Sequence, residues 1–170
     1  MYFQLGFSFS FKDFEVIYLL TYNDLLIEAD NNCLITKEKP LRANKGRIKG
    51  NRIAIKEDMI ETEKKCVLAE ELGHHYTTVG NIMDQTATAN RKQERRARIW
   101  AYHKLLSLND LIDSYKCGCR SRYEIAEHLE VTEEFLQECL DYFHEKYGLY
   151  TKQNNYLIYF EPLGVLELYK

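Results

Sequence analysis

The chain has 170 residues, enough for one domain with a substantial core or for a domain carrying a small appendage. Apolar residues make up 45% and charged ones 29%, the balance of a soluble globular protein, and two prolines argue against long linkers. A formal charge of −3 gives no global attraction to nucleic acid or to an anionic membrane.

The opening, MYFQLGFSFSFKDFEVIYLL, is apolar and aromatic. Lys12, Asp13 and Glu15 interrupt it well short of the ~18 residues a membrane span needs, and no small-residue cleavage site follows. Residues 1–21 are therefore expected to form an N-terminal extension. It is either an element packed on the domain or an addition upstream of a shorter start.

From Tyr22 the pattern turns helical, with Tyr22, Leu25, Leu26 and Ala29 on one face and a stop at Asn31-Asn32. CLITKE predicts a short strand. GRIKGNRIAI predicts a hairpin turning at Gly50-Asn51, with Ile48, Ile53 and Ile55 alternating along it. Its second strand, RIAI, precedes the next helix and is read first as an ordinary sheet strand, with a sheet edge on which an extended peptide could pair as the alternative. A strong helix follows over about 62–78, with Gly80-Asn81 as its C-terminal stop. TATANRKQERRARIWAYHKLL predicts a second long helix with Ala97, Trp100, Ala101, Leu105 and Leu106 on its apolar side.

After Ser107 the texture changes. The helical pieces LNDLIDSYK, SRYEIAEHL and TEEFLQECLDYFHEKYG precede a segment that predicts a hairpin around Asn154-Asn155. The expected division is an extension over 1–21, an α+β domain over 22–106 and a helical subdomain with a terminal hairpin over 107–170. Within the last part, Ile125, Ala126 and Leu129, a turn at Glu130-Val131 and Thr132 as an N-cap have helix-turn-helix spacing. The second helix of that unit carries Glu133, Glu134, Glu138 and Asp141, which would repel phosphates, so DNA reading by it is not expected. The run from Arg91 to Lys104 holds six cations and one acid and is read as a solvated face around the site. Five scattered cysteines (Cys33, Cys66, Cys117, Cys119, Cys139) read as reduced thiols of a cytoplasmic protein.

The chemistry-bearing stretch is AEELGHHYTTVG, Ala69 to Gly80. In a His-Glu-x-x-His helix the two histidines lie about 6 Å apart along the axis on one face, so both reach one metal ion. The glutamate between them faces water as general base. In this frame His74 takes the second ligand position, Glu71 the base, and Glu70 stands where the first histidine belongs. Carboxylate is an accepted zinc ligand at about 2.0–2.2 Å. The frame Glu71 with His75 also has ligand spacing but leaves no carboxylate for the base. A catalytic zinc needs a third protein ligand, and the next helix offers Glu94, the isolated acid among arginines, which could equally be a surface ion pair. By itself the pattern is also compatible with solvated glutamates and with histidines favoured at a helix C-terminus.

These stretches resemble the ImmA/IrrE-like zinc metallo-endopeptidases, a family carried by prophages and other mobile elements. The likeness runs from Tyr22 to Lys170 and is densest from TEKKCVLAEELGHHYTTVGNIMDQ through NRKQERRARIWAYHKLL. The family's second helix, Glu-x-x-Ala-x-x-Phe-Ala, falls on Glu94, Ala97, Trp100 and Ala101, while the KLLS that follows lacks the family's proline. The resemblance implies an α+β fold: a mainly helical zincin-like domain with a small antiparallel sheet, then a C-terminal helix-turn-helix with a β-hairpin. It implies zinc, with manganese or iron as alternatives, held by Glu70, His74 and Glu94, with Glu71 catalytic and His75 as a supporting or alternative ligand. The implied activity is cleavage of a helix-turn-helix repressor encoded beside it, which derepresses the element's genes. The alternative is a non-catalytic antirepressor that binds the repressor through the same fold. Neither a membrane nor nucleic acid is expected as a partner. Two ligating carboxylates nearly cancel the charge of Zn²⁺ and acidify water less than histidines do, so a slow hydrolase is expected.

Overall fold

The computed structural model describes residues 19–77 and 87–169. The opening apolar stretch over 1–18 and the expected helix stop at Gly80-Asn81 lie outside the described residues.

The fold is α+β. Helix α1 (Tyr22–Asn31) leads into strands β1 (Ile35–Lys39), β2 (Gly46–Lys49) and β3 (Arg52–Lys56). Two long helices follow, α2 (Glu61–Thr77) and α3 (Ala87–Leu105), then α4 (Leu108–Lys116), α5 (Arg122–His128) and α6 (Glu133–Tyr147). The chain ends in β4 (Tyr150–Gln153), β5 (Tyr156–Phe160) and β6 (Leu163–Glu167). Three helices begin with reciprocal caps, in which Thr21, Ser107 and Ser121 accept from the amides of Asp24, Asp110 and Glu124, whose side chains bond back. Each such pair satisfies two amides that a helix start leaves orphaned.

The first sheet has the order β1-β3-β2. The β2–β3 hairpin is antiparallel as the sequence predicts, with Gly50 at φ +60° in its turn. β1 joins it parallel to β3. RIAI is therefore the central strand, an ordinary member of the sheet, and the alternative that it forms a peptide-pairing edge is corrected. Its alternation reflects burial between two neighbours, with Ile53 and Ile55 facing the core at 1% and 0% exposure. The free edge beside the site is β2. At the C-terminus the predicted hairpin is present, turning at Asn154-Asn155, and β6 extends it to an antiparallel three-stranded sheet.

α2 lies at the centre. Cys66, Val67, Leu68, Ala69, Leu72 and Gly73 are all buried, so the helix is enclosed on nearly every side rather than along one stripe. It packs on α1, α3, β2 and β3. Its one buried ammonium, Lys65, donates to the carbonyl of Leu129 at 3.1 Å and so caps the end of α5. Burial lowers the pKa of that ammonium. Of the apolar residues expected on α3, Ala97, Ala101, Leu105 and Leu106 are buried, and Trp100 is half-buried against the core. That core runs without a break from Tyr22 to Phe160. Among the described residues no helix is long and apolar enough to cross a membrane.

Candidate metal centre

Where α2 crosses α3 the two backbones touch. A Cβ on Gly73 would lie 2.3 Å from the carbonyl oxygen of Ala97 and 2.9 Å from its carbon. Only glycine permits that approach. Glu94 lies one turn before Ala97, and His74 directly follows Gly73, so the crossing brings their side chains together. His74 Nε2 is 3.5 Å from Glu94 Oε2. Two donors each 2.0–2.2 Å from one tetrahedral ion stand about 3.4 Å apart, so this pair has ligand spacing. The His74 side chain is 23% exposed and that of Glu94 59%, which places the carboxylate at the rim.

The end of α2 is held from outside. The Tyr76 hydroxyl donates to Glu28 at 3.1 Å and accepts from Asn32 at 2.8 Å, and its ring stacks on Trp100 at 4.8 Å. Lys104 closes the group by pairing with Glu28 at 2.7 Å. These contacts tie the turn that carries His74 to α1 and α3 at once.

Glu71 points toward β2. The Ile48 amide donates to its carboxylate, and a Cβ on Gly46 would fall 2.7 Å from Glu71 Oε1 and 2.4 Å from Val67 Cγ1. Gly46 thus opens the space the carboxyl fills. At 9% exposure the group sits where charge is costly. Burial, with Glu70 next and Glu94 further off, lifts its pKa to about 7, against the pull of the Ile48 amide. Burial likewise raises Glu70, opposed mainly by the charge of Arg98.

Glu70, Glu71, His74, His75 and Glu94 all line one cleft of about 980 Å³, walled on the other side by β2. The convergence is incomplete. Among the described residues no three His, Cys, Asp or Glu side chains close on a common point. His74 and Glu94 meet; Glu70 faces the same space without completing a triad. His75 stands edge-on to Tyr76 at 5.1 Å and makes no ion pair with Glu71 or Glu94 among the described residues. The donor chemistry fits a divalent cation: one imidazole at ligand distance from a carboxylate, and surplus buried negative charge around them.

Sequence reasoning missed several residues of the cleft, Gly46 and Ile48 beside Glu71 among them. Arg98 follows Glu94 by one helical turn, a spacing that could have placed it on the same face. Glu138, which accepts from the Tyr102 hydroxyl at 2.9 Å, arrives from α6, and no local pattern announces it.

A helix bearing a Glu-x-x-His pair, crossed by a second helix that supplies a carboxylate beneath an edge strand, is the arrangement of a metallopeptidase-like domain. The family described as Peptidase M78, IrrE N-terminal-like domain, matches residues 33–141, well over half of the chain and every residue of this cleft named above. The chain belongs to that family. No curated protein and no solved structure shows significant similarity to it.

Proposed function

We propose that this protein is a metal-dependent endopeptidase whose substrate is a helix-turn-helix repressor, cleaved to release the genes of a mobile element. The observation that carries the reading is the 3.5 Å approach of His74 to Glu94, in a cleft that also holds the buried carboxyl of Glu71. Glu70, His74 and Glu94 would hold the ion, zinc by preference, with manganese or iron favoured somewhat by the oxygen donors. When bound, the metal supplies Lewis-acid polarisation of the scissile carbonyl and acidifies water.

The rest falls to the chain's own groups. Glu71, kept in place by the Ile48 amide, takes a proton from water on its carboxylate and returns it to the departing amine. A carboxyl poised near pH 7 suits both directions of that transfer. The free side of β2 presents backbone to an extended substrate. The unit formed by α5 and α6, whose second helix is acidic, serves as packing and partner docking rather than as a DNA reader.

One observation favours a second reading. Because Glu70 does not close a triad with His74 and Glu94, the same surface could act as a non-catalytic antirepressor that binds and masks the repressor. Purified protein incubated with the repressor encoded beside it separates the two. Cleavage that is lost with chelator and lost in Glu71→Gln supports the peptidase; derepression that survives Glu71→Gln supports the binder.

A further inference from the structure

The register of the first sheet gathers positive charge on its outer face. Ile53 and Ile55 point inward, so Arg52, Ala54 and Lys56 of β3 point outward. Pairing aligns Ile35 and Lys49 with Arg52, and Lys37 and Arg47 with Ala54. Lys39 aligns with Lys56, and the Lys56 amide bonds the carbonyl of Lys45 on the other side. The face is thus a grid of three rows and three columns in which every position except Ile35 and Ala54 is a cation. No acid stands on it; Glu38 turns the other way, toward Tyr22 and Lys64. Within the grid only Lys45 and Lys56 form ion pairs among the described residues, with Glu134 at 3.6 Å and Asp58 at 3.3 Å.

Lysine on an edge strand is ordinary protection against unwanted pairing. That reason fails for β3, the central strand, yet Arg52 and Lys56 carry the charge straight across it. Lys49 and Arg52 set like charges directly opposite each other, which weakens a sheet, and Lys39 stands opposite Lys56, whose charge Asp58 partly offsets. A face that costs the fold in this way calls for a counter-charge from outside. The net charge of −3 conceals it, because the acids lie elsewhere, many of them in the cleft that Lys45, Arg47 and Lys49 border from the rim of the face, while Lys37, Lys39, Arg52 and Lys56 stand away from it.

We propose that this face is a contact surface for the phosphate backbone of duplex DNA, without base readout. Neighbouring strands are about 4.8 Å apart and same-face residues about 6.7 Å apart. Several cations can therefore meet a duplex that carries one charge per ~1.7 Å of its axis. The face has no aromatic side chain on which unstacked bases could lie, which separates it from single-strand binders. The proposal stands apart from the peptidase reading and survives that reading's failure.

The test is fluorescence anisotropy of a short labelled duplex of mixed sequence with the full chain, repeated over a range of salt concentrations. Lys37→Gln/Lys39→Gln/Arg52→Gln changes only residues outside the cleft. It should weaken binding at low salt at least about tenfold and lower the salt slope by about 0.9 for each phosphate no longer neutralised. Lys92→Gln/Arg96→Gln/Lys152→Gln removes the same charge elsewhere and should change neither. Should the first triple variant melt early, Arg52→Gln alone serves, with a slope change of about one. Absence of duplex binding at low salt, or equal weakening in both triple variants, overturns the proposal. Displacement by polyglutamate as effective as by unlabelled duplex overturns it in favour of an acidic protein partner.

Discussion

Gly73 and Ala97 touch backbone to backbone, and that contact sets the distance between the two helices of the candidate site. A side chain on Gly73 would meet a carbonyl, which cannot swing aside as a flexible side chain can. Gly73→Ala should therefore push α3 away, separating Glu94 from His74 as well as straining the core. The expected cost is about 1–3 kcal/mol of stability from overpacking. Zinc affinity should fall by more than that destabilisation explains. Denaturant unfolding beside a metal titration checks it, and unchanged zinc affinity would show that the crossing does not set the ligand geometry.

Gly46 makes the matching contact on the other side of α2. Its substitution by Ala brings a methyl to 2.7 Å from Glu71 Oε1, displacing the carboxyl from the Ile48 amide. Peptide cleavage should drop about tenfold or more, with KM changed less than kcat, because the displaced group moves protons rather than gripping the substrate. Steady-state kinetics on a labelled substrate decide it.

Glu71→Gln should lower cleavage by about 10²–10⁴-fold, the usual contribution of a positioned base. It should also change how stability depends on pH in chelator-treated protein. The folded-state pKa of Glu71 is raised from 4.5 to about 7, so the fold binds this proton more tightly than the unfolded chain does. The associated stability is present below about pH 4.5 and is lost as pH rises through about 7. Glutamine stays neutral throughout. Wild type and variant should melt alike near pH 4, and the variant should be more stable near pH 8, by up to about 3 kcal/mol. Parallel melting curves at both values would contradict the assignment.

Glu70→His restores a neutral donor at the ligand position and removes one buried carboxylate from a cluster in which Glu70, Glu71 and Glu94 repel one another. Zinc should bind at least about tenfold more tightly, a gain of about 1.4 kcal/mol, and cleavage should quicken. Isothermal titration and peptide hydrolysis measure the two. A variant that is neither tighter nor faster counts against Glu70 as a ligand.

Much of this architecture is visible in single stretches of sequence. The bounds of α4 and the N-caps Ser107 and Thr132 follow from local capping chemistry, and Gly50-Asn51 marks its own turn. The role of RIAI is not readable in the same way, because which strand lies at the edge depends on where β1 pairs, a non-local choice that no period of two records. β6 escapes sequence reading because Gly164 breaks its pattern and every inward residue is only half covered. Within the site, Glu71, His74 and Glu94 can be proposed from spacing alone. That Glu70 stops short of them cannot, since it turns on how side chains from two helices meet across the cleft.

β2 has four residues and two sides. Gly46 and Ile48 are fixed by Val67 and Glu71 within, whereas Arg47 and Lys49 look outward where no neighbour constrains their size. In a saturation scan scored by folding and cleavage, this short strand would therefore alternate between positions that reject nearly every replacement and positions that accept most of them. Drift in the outward pair can retune what the molecule adheres to while the proton-transfer apparatus one peptide unit away stays untouched.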